Sequence, residues 1–279
     1  MTLRIGWFST GRGESSRRLL SATVDAIRAG TLDAEIAFVF CNRERDEYEP
    51  TDSFLDLVES YRIPLLTLSS RRFRKERGGA LSEPGKALPP WRLEYDRAVG
   101  ELIEEYAFDA GVLAGYMLIF TGEMAGRYAF LNLHPAEPGG PTGTWQEVIW
   151  QLIDARAQRS GVMIHLATAE LDRGPPVSYC TYSIRGPAFD ALWSAIGDRA
   201  AAEVQVQEGE KNALFREIRR HGAERELPLV VETLRALADG RIHIGGRRVI
   251  DGAGRELSGG VDLTDEIDAA VAPLLTNRD

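Results

Sequence analysis

Short apolar runs alternate with amphipathic stretches along the first two thirds of the chain. Leu3 to Phe8 is apolar and ends in Ser9-Thr10-Gly11-Arg12-Gly13. Leu19, Leu20, Val24 and Ile27 then recur at helical spacing up to Gly30, a favourable helix stop. Glu35 to Cys41, Pro64 to Leu68, Gly111 to Gly115 and Phe130 to Leu133 read as further strands, with a helix over 93–106 feeding the third of these. The stretch from Arg71 to Trp91 is rich in Gly, Pro, Arg and Lys, has no period, and predicts a mobile loop. Thr144 with Glu147 has capping-box spacing ahead of Val148, Ile149, Leu152 and Ile153. Gly161 to Leu166 and Val177 to Ser183 predict an antiparallel pair whose connection carries Asp172. Strands alternating with helices in this order predict an α/β fold, a mostly parallel sheet flanked by helices. Residues 1–190 read as the main domain and 191–279 as a C-terminal helical and hairpin extension packed on it, with a last helix that starts at Leu263-Thr264-Asp265-Glu266 and ends near Leu275.

Composition narrows the classes. The 279 residues are 44% hydrophobic and 27% charged, enough for a full core. No apolar run reaches the length of a membrane span, and Met1-Thr2-Leu3-Arg4-Ile5 enters a strand-like run without a signal-peptide pattern. A cytoplasmic protein with small-molecule substrates and without membrane partners is the expectation. The net charge of −9 argues against broad binding of nucleic acid. Cys41 and Cys180 make neither a disulfide framework nor a metal cluster, so no metal is expected. Oligomeric state is not legible.

The chemistry is concentrated in two places. Asn132-Leu133-His134-Pro135 ends one strand, and Glu170-Leu171-Asp172-Arg173-Gly174-Pro175 follows some thirty residues later. An amide can hold an oxyanion, an imidazole can move protons, and a carboxylate can fix the imidazole. Gly11, Met117, Asn132 and His134 all fall near carboxyl ends of predicted strands, where open α/β sheets bind ligands. His165, beside these on its strand, reads more readily as structural than as part of the site, and His221 has no evident partner.

Taken in order, these segments resemble the folate-dependent formyltransferases. The resemblance runs through the first strand and Gly-rich loop, Val112-Leu113-Ala114-Gly115-Tyr116-Met117, Leu131 to Pro135, Gly161 to Pro175, Val204 to Glu208 and Ala238 to Ile242, over about residues 1–255. It implies a Rossmann-like formyltransferase fold and 10-formyltetrahydrofolate as co-substrate. Asn132 would hold the formyl oxygen, His134 would stabilise it and relay protons, and Asp172 would orient His134. The pterin would lodge near Met117, Leu118, Ile119 and Phe120 and against Thr168, Ala169, Glu170 and Asp172. The acceptor amine, foremost glycinamide ribonucleotide of purine synthesis, would place its phosphate over Gly11, Arg12, Gly13, Glu14 and Ser15, with Gln207 and Glu208 near its ribose or amine. An amino sugar is the alternative acceptor. The chain departs from the family where Glu14-Ser15 replace a small phosphate-binding pair, where Leu118 replaces a common arginine, and where 136–146 lacks any basic residue. Hydrolysis of the donor is a second reading. An NADP-binding oxidoreductase is a third, weakened because Ser16 occupies the place of the third fingerprint glycine.

Overall fold

The strands form because their apolar side chains can be covered on both faces. β1 (Leu3–Ser9), β2 (Ala34–Cys41), β3 (Leu65–Thr67), β4 (Ala110–Leu113) and β5 (Phe130–His134) pair in parallel. β6 (Arg159–Leu166) runs antiparallel to β5, and β7 (Pro176–Ser183) antiparallel to β6. In this computed structural model, which describes residues 2–82, 86–168, 170 and 172–276, one sheet has the order β10-β7-β6-β5-β4-β1-β2-β3. The chain therefore winds outward from β1 in one direction and from β4 in the other. Their junction is the switch point at which such sheets open a crevice.

Helices cover both faces. One face carries α1 (Glu14–Arg28), α2 (Glu49–Ser60) and the long α9 (Ala213–Ala238), whose Leu20, Val24, Phe54, Leu55, Leu229 and Leu234 join Ile5, Trp7, Val39 and Val112 in one buried cluster. The other carries α4 (Pro90–Ile103) and α5 (Gly122–Arg127), where Tyr95, Val99, Ile103 and Met124 pack on Phe8, Phe38 and Phe130. A third cluster joins α6 (Trp145–Asp154), α7 (Asp190–Ile196), α8 (Ala201–Glu208) and the start of α9. The capping box at Thr144 and Glu147 is formed.

The residues after 190 are woven into the first core. Beyond the hairpin of β8 (Ile242–Gly245) and β9 (Arg248–Asp251), the short β10 (Val261–Asp262) pairs in parallel with β7, and α10 (Thr264–Thr276) packs on α9.

The stretch 71–91 differs from its expectation. Its first six residues belong to α3 (Ser70–Glu76), a turn follows at 77–78, and α4 starts at Pro90, with irregular chain in the rest of the described part. The Ser69 hydroxyl caps α3 by accepting from the Arg72 N–H, and Phe73 meets Tyr95 edge-on at 5.2 Å. A single anchoring aromatic among basic residues leaves no period to read.

Candidate active site

The crevice between β1 and β4 is closed by direct contacts. The Thr10 N–H donates to the Gly115 carbonyl, and the Met117 N–H donates to the Thr10 hydroxyl at 2.9 Å. These bonds hold the 115–120 segment over the carboxyl end of the sheet. Beneath it lies a cavity of about 210 Å³ lined by Leu113, Tyr116, Met117 to Phe120, Asn132, His165, Ala167, Thr168, Glu170 and Asp172. Met117 and Ile119 are exposed although apolar and form the lip of this cavity. Of the expected donor-binding residues, Met117, Leu118, Ile119, Phe120, Thr168, Glu170 and Asp172 all line this cavity. Ala169 lies outside the described residues.

A buried ion pair fixes this segment from behind. Arg92 and Asp96, 1% and 2% exposed, face each other at 3.3 Å on α4. Arg92 donates to the Ile119 carbonyl at 2.8 Å, and Asp96 accepts from the Thr121 N–H at 2.6 Å. Burial pushes the Asp96 carboxyl up, against the opposing pull of the Thr121 N–H and Arg92. Sequence reading missed the pair. Its signal was there, since Arg92, Asp96, Val99 and Ile103 share one helical face that is otherwise apolar.

The trio is brought together, with a fourth member. His134, 2% exposed, points Nε2 at the Pro141 carbonyl at 2.9 Å, so that nitrogen carries the proton and donates. Its Nδ1 lies 3.7 Å from Asp172 Oδ1. The same carboxylate oxygen is 3.8 Å from His165 Nε2. Asp172 thus sits between two imidazoles, and Oδ2 accepts from the Gly143 N–H at 3.3 Å.

His165 belongs to the site. The β5–β6 register sets it opposite Asn132, whose amide Nδ2 lies 3.0 Å from His165 Nε2. His165 Nδ1 is 3.0 Å from the Leu166 carbonyl, which can only accept. His165 is therefore the neutral Nδ1–H tautomer, and its Nε2 accepts one Asn132 N–H. Burial pulls the His165 pKa down, which matches that tautomer. One N–H of the Asn132 amide is thereby spent on orientation, leaving the other for a ligand. Asn132 and His165 are on the cavity wall, whereas His134 is behind Asp172 under Pro141.

The hairpin that carries Asp172 is tightly constrained. Asp172 has φ +53°, a left-handed conformation uncommon outside Gly, Asn and Asp. A Cβ on Gly174 would lie 1.6 Å from the Leu166 carbonyl oxygen, so only glycine fits there.

The expected acceptor residues separate into two groups. Gly11 is buried with φ +63° against Phe54, Arg12 and Gly13 follow it, and Glu14 and Ser15 open α1. Across a cleft from Glu14 and Ser15 stand Arg219, Ala223, Glu224 and Glu226 of α9. Gln207 and Glu208 are on α8 instead. Glu208 is held by Arg199 at 2.6 Å and by Asn212 at 2.8 Å, and Gln207 is exposed beside Glu203. After Glu208 the chain turns through residues 209–211 into α9, and it is α9 rather than α8 that faces the first loop. His221 likewise has partners, Glu217 at 3.2 Å and the rings of Tyr182 and Phe189. Among the described residues no cluster of three or more His, Cys, Asp or Glu could hold a metal.

The sequence model of a family described as formyl transferase matches residues 8–185, well over half of the chain. The chain belongs to the formyl transferase family. It is 29% identical over 159 residues to phosphoribosylglycinamide formyltransferase of Haemophilus influenzae, covering 56% of this chain and 63% of that protein. It is 28% identical over 148 residues to formyltetrahydrofolate deformylase of the same organism, covering 52% of this chain and 44% of the other. These matches span less than two thirds of either relative. Among solved structures, phosphoribosylglycinamide formyltransferase of Coxiella burnetii superposes with a TM-score of 0.63 at 21% identity, covering 94% of this chain and all of that one. A deformylase of Burkholderia mallei gives 0.59 at 14% identity, covering 90% and 70%. At such identities the superpositions establish the formyltransferase fold. No described helix is long and apolar enough to cross a membrane.

Proposed function

We propose that the protein transfers a formyl group from 10-formyltetrahydrofolate to the primary amine of a small molecule. The supporting observation is Asp172 facing His134 Nδ1 and His165 Nε2, at the wall of a cavity rimmed by Met117 to Phe120. The cavity suits a pterin, with apolar side chains for its faces and loop backbone groups for its edge.

In this reading the amine nitrogen bonds to the formyl carbon, the carbon's bond to N10 breaks, and one amine proton ends on N10. Asn132 offers its remaining N–H to the formyl oxygen as negative charge develops. One such donor is worth about 3 kcal/mol of barrier. His134 carries the proton between the two nitrogens, and Asp172 stabilises positive charge on the ring as it forms. For His134 Nε2 to reach a substrate, its bond to the Pro141 carbonyl has to be exchanged for one to that substrate.

Glycinamide ribonucleotide, the acceptor expected from the resemblance and named for relatives, is the first amine to assay, and a cytoplasmic setting fits small soluble substrates of this kind. Tetrahydrofolate release that requires an amine and is lost in His134→Ala supports the proposal. Release without any amine would replace it with donor hydrolysis.

A further inference from the structure

The catalytic groups connect to a second cleft through five residues. Pro141 accepts from His134, Gly143 donates to Asp172, and the Trp145 ring lies 4.8 Å beneath the Arg219 guanidinium. Arg219 lines a cleft of about 290 Å³ between the start of α1 and α9. Anything held there adjoins the segment that covers His134 and Asp172, on a side distinct from the Met117–Phe120 rim.

The lining of this cleft is wrong for a phosphate. Glu14 stands at the first position of α1, where a bound anion would otherwise find free N–H groups, and its own carboxylate already complements the positive helix end. Gly13, at the helix cap, contributes no side-chain bond. Glu224 and Glu226 face it across the cleft. Of the two cations, Arg219 is already committed to Glu226 and Trp145, which leaves exposed Arg18 opposite two carboxylates.

The same lining suits hydroxyl groups. Pro228 has no N–H, so the Glu224 carbonyl four residues earlier loses its helical donor at the cleft wall. That carbonyl and the Glu14 and Glu224 carboxylates are all acceptors, with Glu226 already paired to Arg219. Leu19, Leu227 and Pro228 supply apolar surface among them for the C–H faces of a ring.

We infer that this cleft holds the body of the acceptor, that the acceptor is a hydroxyl-bearing primary amine without a phosphate, and that Glu14 sets this preference. The assignment rests on the formyl-transfer reading above. It separates this chain from a phosphoribosyl acceptor while leaving the reaction unchanged.

The test uses matched amines, glycinamide ribonucleotide with its dephosphorylated riboside and glucosamine 6-phosphate with glucosamine, with 10-formyltetrahydrofolate as donor. The expected result is a kcat/KM at least about tenfold higher for a dephosphorylated member than for its phosphorylated partner. Glu14→Gln narrows that ratio by raising turnover of the phosphorylated member. Preference for the phosphorylated members, or a ratio unmoved in Glu14→Gln, overturns the assignment and leaves formyl transfer standing. Amine-dependent release with none of the four also overturns the acceptor class. Release that ignores amines altogether overturns formyl transfer itself.

Discussion

Adding one methyl group at Gly174 tests how the Asp172 carboxylate, proposed above to be catalytic, is held. A Cβ there would sit 1.6 Å from the Leu166 carbonyl oxygen, 2.8 Å from the Leu166 carbonyl carbon and 3.2 Å from His165 Nδ1. Ordinary contact begins at 3.4 Å, so the Asp172–Pro175 turn must retreat from β6 by roughly 1.8 Å. That retreat stretches the bond from the Leu166 N–H to the Pro175 carbonyl, now 2.9 Å, and draws Asp172 off both imidazoles. Overpacking of this kind costs about 1–3 kcal/mol of stability, which a domain of this size survives. A catalytic group displaced by an ångström loses about a hundredfold in rate, so Gly174→Ala should fold and lose at least that much in kcat. Urea unfolding followed by circular dichroism would read the first effect, and steady-state tetrahydrofolate release the second. A folded Gly174→Ala protein with near wild-type kcat would refute the claim that this turn positions Asp172.

Three other outcomes follow from the geometry. His165→Ala frees the Asn132 amide, and kcat should fall about 10- to 100-fold, with His165→Gln, which retains an acceptor, recovering part of it. Asp96→Asn leaves Arg92 buried without its countercharge, so stability should drop by about 3 kcal/mol and the donor KM should rise as the 117–121 segment loosens, with kcat little changed. Burial holds the pKa values of His165 and His221 below the usual 6.5, so the fold favours both neutral; their contribution is complete above that pH and is lost as the pH falls through the depressed folded values. Urea unfolding at pH 8, 7, 6 and 5 should show declining stability below 6.5, and a flat profile would contradict the burial argument.

Local signals carried most of the fold into the sequence. The run Leu3–Phe8, the helical period from Leu19 to Ile27 and the Thr144–Glu147 box each need only their own neighbours, and each is formed where it was expected. Phe73 alone could not announce α3 among arginines, because its partner Tyr95 is distant in sequence. The site was legible in residue type more than in arrangement. Asn132, His134 and Asp172 converge, but the role of His165 depends on the β5–β6 register that puts it opposite Asn132. Nothing in either strand taken alone specifies that register. Glu208 illustrates the converse, since its likeness to a known motif says nothing of the bonds to Arg199 and Asn212 that occupy it.

The most direct test of the central claim is steady-state tetrahydrofolate formation from 10-formyltetrahydrofolate across the matched amines, with a no-amine control and His134→Ala beside the wild-type protein. Release should rise with amine concentration, be stoichiometric with formylated amine, and be lost in the variant. Equal release with and without amine, or full activity in His134→Ala, would contradict that claim.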